Sequence, residues 1–247
     1  MRAGQIGYFE TRFPVIPASA ALLSAWIGWQ VLVSGLTIDL NEPIVLLALG
    51  FIVILLNGMG TTDRMAAEPE ASGPRRFGLA NSVTLSRGVA TALIAGLIGT
   101  TLPEHAVWLA MAVALACLAL DGVDGWIARR TGTSSPLGAR LDMETDALMI
   151  LVLSILAFQL DKAGPWVLLI GLMRYGFVAV GWLLPALNAP LPDSFRRKVI
   201  CVLQGVALAI ALAPAVPTWF AAPLLAFCLA ALVWSFAKDC RWLISHG

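Results

Sequence analysis

Apolar segments of about 20 residues recur along this chain, and they restrict its fold more than any other feature. A helix needs about 20 apolar residues to cross the hydrocarbon core of a bilayer. The breaks between the segments carry Pro, Gly, Asn and Asp, residues that favour turns. We therefore predict an all-α integral membrane protein with transmembrane spans near residues 15–36, 43–60, 79–100, 106–129, 137–160, 164–187, 197–215 and 218–240.

The composition agrees with a surface that faces lipid more than water. Of the 247 residues, 59% are hydrophobic and only 13% are charged, whereas soluble domains average about 25% charged residues. The net charge is +1 and the basic residues form no broad stripe, so we expect no nucleic-acid partner. The chain has two histidines and no CxxC pair, so a metal site has to use carboxylate oxygens, which favour Mg²⁺, Mn²⁺ or Ca²⁺ over Zn²⁺.

A polar stretch rich in Pro and Gly divides the chain after the second span. We predict a two-helix N-terminal membrane unit over 1–60, a cytoplasmic linker over 61–77, and a six-helix transmembrane catalytic core over 78–247. With the N-terminus in the cytoplasm, nearly all Lys and Arg residues fall on the inner side, and Lys162 falls outside. The prediction is a multi-pass protein of the inner or plasma membrane with both termini in the cytoplasm.

Four aspartates interrupt the apolar pattern on two consecutive spans, at Asp121, Asp124, Asp142 and Asp146. Spacings of three and four residues put each pair on one helix face, and the short loop between the spans predicts adjacent, antiparallel helices. A charged residue inside a bilayer costs about 2.5–3.5 kcal/mol, so the cluster needs a counter-charge. Facing carboxylates could hold two divalent cations about 3.5–4 Å apart. We predict a metal site in a cavity open to the cytoplasm.

Small residues accompany the aspartates. Gly125 and Ala128 follow the first pair, and Gly138 precedes the second. They would leave room for a flat base or a pyrophosphate, although close helix packing is an alternative reason for glycine here. Arg129 can neutralise a phosphate or a carboxylate in a bidentate manner.

From Asp121 to Asp146 the sequence follows the pattern D-x2-D-G-x2-A-R-x8-G-x3-D-x3-D at every specified position. The string resembles the signature of the CDP-alcohol phosphotransferases, integral membrane enzymes of phospholipid synthesis. The resemblance covers about 78–246. Asn81, Thr84 and Arg87 are similar to the N-x2-T-x2-R pattern that opens the first core helix of that family.

The resemblance extends to two later helices. Arg174 resembles an arginine often found in the family's fourth helix, and Lys198 resembles a lysine at the start of the fifth helix in phosphatidylglycerophosphate synthases. Those synthases usually show Gly-Lys and a following threonine, whereas this chain has Arg197, Lys198 and Cys201. This departure weakens the inference that the protein uses the same substrate as those synthases.

The resemblance implies a reaction in which an alcohol hydroxyl attacks the β-phosphorus of a CDP-alcohol, usually CDP-diacylglycerol, and CMP leaves. It implies two Mg²⁺ or Mn²⁺ ions on Asp121, Asp124 and Asp142, with Asp146 as a further ligand and as the general base. The implied CDP or diphosphate site comprises Asn81, Thr84, Gly125, Ala128, Arg129 and Gly138. The implied contacts of the acceptor or its phosphate are Arg87, Arg174, Arg197 and Lys198.

Other interpretations of these side chains stay open. Asn81 and Thr84 could instead cap a helix or bridge two helices. Arg87 and Arg174 could pair with the aspartates, and Arg197 and Lys198 could be inner-face charges that touch anionic lipid.

The acceptor and the protein class also leave alternatives. Basic residues favour a phosphorylated polyol such as glycerol 3-phosphate, and a neutral amino-alcohol or amino-acid acceptor is the alternative. An intramembrane prenyltransferase would explain Asp121 and Asp124 but not the Ala128-Arg129 pair, and an ion transporter would disperse its carboxylates over discontinuous helices. Membrane lipids are expected partners. Packing, assembly into a homodimer and contact with another protein are the candidate roles of the first two spans.

Overall fold

The computed structural model describes residues 41, 43–52, 79–131, 136–184 and 194–246, and these residues form helices without any β-strand. The prediction of an all-α protein is confirmed. The first predicted span and the linker at 61–77 lie outside the described residues. The helices are α1 (Pro43–Ile52), α2 (Leu79–Ala95), α3 (Glu104–Thr131), α4 (Pro136–Gln159), a 3-10 turn (Pro165–Val167), α5 (Leu168–Leu183), α6 (Phe195–Leu212) and α7 (Thr218–His246).

Two helices are long and apolar enough to cross a bilayer. The qualifying segments are Glu104–Gly122 in α3 and Thr218–Ser245 in α7. Large apolar side chains are also exposed on the helices, for example Leu183 at 80% and Phe227 at 65% of their full accessible area. Extensive exposed apolar surface is unusual for a soluble monomer and suits contact with lipid. The two helices and this surface indicate a membrane protein.

Helix α2 lies between the two helices that carry the aspartates. Among the described contacts, α2 packs on both α3 and α4, and α6 also packs on both, whereas α3 and α4 meet each other far less. The prediction that α3 and α4 are direct neighbours is not confirmed for the described part of the chain. Arg87 of α2 contacts Asp121 of α3 and Asp142 of α4, so polar side chains of the two helices meet at α2.

Two glycines allow the close helix contacts that hold this arrangement. A Cβ atom added at Gly171 on α5 would lie 2.5 Å from the Cα of Leu151 on α4. A Cβ atom added at Gly205 on α6 would lie 2.7 Å from Cδ2 of Leu118 on α3. Both distances are too short for a real carbon contact, so the absence of a side chain lets the helices approach, as small residues commonly do in membranes.

The loops that follow α4 and α6 are joined by a buried lysine. Lys162 is 9% exposed, and its ammonium donates hydrogen bonds to the carbonyl oxygens of Ala213 at 2.9 Å and Val216 at 2.5 Å. The hydroxyl of Thr218 donates to the carbonyl oxygen of Asp161 at 3.2 Å. A helix end leaves backbone carbonyls without intrahelical donors and favours a positive charge. Lys162 therefore serves the end of α6, a role that its loop position in the sequence did not predict.

Helix α1 packs on the predicted core. The backbone N–H of Asn41 donates to the carbonyl of Gly96 at 2.6 Å, and its side-chain amide donates to the carbonyl of Ile98 at 3.2 Å. At the other end of α1, the ring of Phe51 meets that of Tyr175 on α5 edge to face, with centroids 6.4 Å apart. This part of the predicted N-terminal unit therefore shares the buried apolar cluster of the following helices.

Candidate active site

Three of the four predicted aspartates converge on one point. One carboxylate oxygen from each of Asp121, Asp142 and Asp146 lies within 4.8 Å of the others. Asp121 comes from α3, and the other two come from the first turns of α4. Their side chains are partly buried, with 26%, 35% and 20% of their area exposed. The structure thus brings together carboxylates that are more than 20 residues apart in the sequence.

Helical periodicity explains which acidic residues of α4 join this cluster. Asp142 and Asp146 are four residues apart and share a face. Glu144 lies between them and projects from a different face, where it pairs with Arg174 of α5. Arg174 therefore contacts Glu144, a residue to which the sequence assigned no role.

A buried arginine occupies the centre of the cluster. Arg87 of α2 is 1% exposed. Its Nη1 lies 2.7 Å from Oδ1 of Asp121 and 2.7 Å from Oδ1 of Asp142, and its Nη2 donates to Oδ1 of Asp146. The structure thus favours the interpretation that Arg87 pairs with the aspartates.

The other predicted residues of the nucleotide site are only partly described. Thr84 is buried on α2, one turn before Arg87. The backbones of the remaining members belong to helices, but nothing is described of their side chains; these members are Asn81, Gly125, Ala128, Arg129 and Gly138. The same holds for the predicted metal ligand Asp124.

A narrow cavity adjoins the aspartates on the side of α6. Its lining includes Asp121, Asp146 and Cys201, together with apolar residues of α3, α4 and α6. Cys201, the residue at which the sequence departs from the threonine expected by resemblance, thus lies beside the carboxylates. The sequence did not place Cys201 in the site, and its only signal was this mismatch.

Basic residues begin α6 three to five residues before Cys201, which corresponds to about 4.5–7.5 Å along the helix axis. Arg196 donates to the carbonyl oxygen of Ser235 at 2.7 Å and to its hydroxyl at 2.8 Å, and it pairs with Asp239 of α7. Arg197 lies 3.5 Å from the same carboxylate, and Lys198 is exposed. The sequence did not predict Asp239 as a partner, because nothing local links α6 to α7.

The donor set of the aspartate cluster fits a hard divalent cation. Three carboxylate oxygens within 4.8 Å of one another can converge on one ion, and oxygen ligands suit Mg²⁺ and Mn²⁺. Within the described part of the chain, this is the one group of three acidic, cysteine or histidine side chains with that geometry. The cluster could therefore hold a divalent metal ion.

Comparison with known proteins gives one positive finding. A family profile described as CDP-alcohol phosphatidyltransferase matches residues 77–236. The match covers α2 to α6 and most of α7, and therefore all three clustered aspartates and Arg87. No curated protein and no solved structure matches the chain. The resemblance read from the aspartate string is confirmed.

Proposed function

Because the chain belongs to the CDP-alcohol phosphatidyltransferase family, we propose that it transfers the phosphatidyl group of CDP-diacylglycerol to an alcohol acceptor and releases CMP. Membership itself implies a transferase that moves a phosphatidyl group from a CDP-alcohol to an acceptor. The donor, the acceptor and the dependence on metal are our proposal. The observation that supports it most is the convergence of Asp121, Asp142 and Asp146 inside the matched region.

The reaction forms one bond and breaks one. The acceptor oxygen bonds to the β-phosphorus of the donor, the bond from that phosphorus to the oxygen bridging to the α-phosphorus breaks, and CMP leaves with the bridging oxygen. The acceptor proton passes to the carboxylate of Asp146. An ordinary carboxylate is a weak base, so this transfer is expected late in the reaction, when the hydroxyl oxygen has become acidic.

The carboxylates provide the metal ligands in this proposal. Asp121, Asp124, Asp142 and Asp146 would hold two Mg²⁺ or Mn²⁺ ions, which supply positive charge to the diphosphate and to the departing CMP. The CDP moiety would lie against Asn81, Thr84, Gly125, Ala128, Arg129 and Gly138.

The acceptor is proposed to enter beside α6. Cys201 lines the cavity at the aspartates, and Arg197 and Lys198 precede it by about one turn. Two basic side chains near the cavity favour a phosphorylated polyol such as glycerol 3-phosphate. Arg87, Arg174 and Arg197 each lie beside a carboxylate in this structure, so they have less support as acceptor contacts than Lys198.

The membrane arrangement is part of the same proposal. We place α2 to α7 across the membrane as a six-helix core, preceded by two N-terminal spans that include α1. The aspartates then open to the cytoplasm, and both termini are cytoplasmic, because that orientation puts most basic residues inside. Lys162, at the opposite end of the bundle, faces the other side.

The acceptor assignment is tested with purified protein, CDP-diacylglycerol labelled in its acyl chains, and Mg²⁺. Parallel reactions contain glycerol 3-phosphate, inositol phosphate, serine or ethanolamine, and the lipid products are identified by mass. We expect a product with a phosphorylated polyol. A product with serine or ethanolamine alone would favour the neutral-acceptor alternative, and no lipid product with any acceptor would contradict the use of this donor.

A further inference from the structure

Arg87 has a position that the transfer reaction itself does not require. Its side chain is fully buried, and it contacts all three carboxylates of the cluster at once. An arginine that served only to bind a substrate phosphate would be expected to present its guanidinium to the open side of the site. This guanidinium instead fills the space between α3 and α4.

Arg87 supplies a positive charge to three negatively charged neighbours. Three carboxylates face one guanidinium, which stays protonated at every accessible pH. Three carboxylates this close together, without Arg87, would repel one another strongly in a medium of low dielectric constant.

Arg87 and the proposed metal both draw on the carboxylates of Asp121 and Asp142. Oδ1 of Asp121 and Oδ1 of Asp142 both accept from the single atom Nη1 of Arg87 at 2.7 Å. A metal ion that draws on those lone pairs takes the place of that N–H group. A metal ion that binds these oxygens therefore competes with Arg87 for the carboxylates of Asp121 and Asp142.

We infer that Arg87 is a built-in counter-cation, which holds the aspartate cluster together without metal and which a divalent cation must displace from Asp121 and Asp142. The inference rests on the metal dependence proposed above. It assigns Arg87 a positioning role, because it acts through the carboxylates and not on the substrate. Its consequence is that metal affinity is lower than the bare carboxylates would give.

The test is the thermal unfolding midpoint of the detergent-purified full chain as a function of Mn²⁺ concentration, without nucleotide or lipid substrate. Arg87→Met removes the competing charge. We expect a lower midpoint than the wild type in EDTA, a larger rise on adding Mn²⁺, and a half-saturating Mn²⁺ concentration about tenfold lower, equivalent to about 1.4 kcal/mol. A purely structural role of Arg87 would lower the midpoint without increasing the apparent affinity for Mn²⁺.

Arg196→Met is the matched control. Arg196 also pairs with a mostly buried carboxylate, that of Asp239, and its described contacts are with α7 and not with the cluster. Its loss should lower the midpoint in EDTA and leave the half-saturating Mn²⁺ concentration unchanged. An equal decrease in that concentration for both variants would show a general effect of destabilisation and would overturn the inference.

A second variant keeps the inference testable if Arg87→Met folds poorly. Arg87→Gln keeps amide donors for the carboxylates and removes the charge, and both variants are purified in parallel with EDTA and with Mn²⁺. Recovery that depends on Mn²⁺ supports the inference, because the metal then supplies the missing charge. Failure in both media, or a half-saturating concentration equal to or above that of the wild type, overturns it. Loss of CMP release alone would concern the proposed reaction, since unfolding needs no turnover.

Discussion

Neutralising Glu144 tests whether its ion pair with Arg174 stabilises the contact between α4 and α5. The pair is partly buried, with 26% of the Arg174 side chain and 21% of the Glu144 side chain exposed. Removing one partner of a fully buried pair costs about 3–5 kcal/mol, whereas a fully exposed pair contributes about 0–1 kcal/mol. We therefore expect Glu144→Gln to lower the free energy of unfolding by about 1–2 kcal/mol.

The measurement is a double-mutant cycle with Glu144→Gln, Arg174→Met and the combined variant. Each single change leaves a charge without its partner, so the combined variant should lose less stability than the sum, by about 0.5 kcal/mol or more. At about 2–4 °C per kcal/mol for a chain of this size, the Glu144→Gln midpoint should fall by about 2–8 °C. Thermal unfolding in detergent reports these shifts.

Glu104→Gln provides the control for loss of a carboxylate charge. Glu104 is exposed at the start of α3 and accepts only a 3.3 Å hydrogen bond from the indole N–H of Trp108 among the contacts described for it. Its neutralisation should change stability by no more than about 0.5 kcal/mol. Additive effects of the Glu144 and Arg174 variants would refute the reasoning, because they would mean that the two side chains do not stabilise each other.

Three further changes test other parts of the account. Lys162→Met removes the ammonium donor from two backbone carbonyls at the end of α6, and it should lower the free energy of unfolding by about 1–3 kcal/mol. Lys238 is exposed, so Lys238→Met should lower it by less than about 0.5 kcal/mol. Thermal unfolding of both variants measures the difference. Gly171→Ala should cost about 1–3 kcal/mol through overpacking against α4, whereas Gly176→Ala on the same helix has open space for its methyl group and should be neutral or stabilising. Asp124→Ala should abolish CMP release while membrane insertion, assayed by fractionation, is retained.

The aspartate cluster could be predicted from the sequence because Asp142 and Asp146 lie on the same helix, where the residue spacing alone decides which side chains share a face. The separation of Asp142 from Asp146 places both on one face wherever α4 packs. The same local rule puts Glu144 on a different face, although the sequence could not name its partner on α5. Spacing thus indicated which carboxylates converge, and the match to a family confirmed the class of enzyme.

Contacts between distant helices could not be predicted in this way. The position of α2 between α3 and α4 depends on packing over the whole bundle, and the short α3–α4 loop suggested direct contact instead. Arg196 and Asp239 are 43 residues apart, and no periodicity links them. Nothing in the sequence indicated that Lys162 is buried, because the carbonyl oxygens that accept its hydrogen bonds belong to a different loop.

The central claim is that the aspartate cluster on α3 and α4 drives metal-dependent release of CMP. The most direct measurement is CMP release from CDP-diacylglycerol with glycerol 3-phosphate, comparing wild type with Asp142→Asn, each with Mg²⁺ and with excess EDTA. This substitution keeps the size of the side chain and removes its charge. We expect CMP release by the wild type with Mg²⁺ only, and none by the variant under either condition. Full turnover in EDTA, or activity retained by Asp142→Asn, would contradict it.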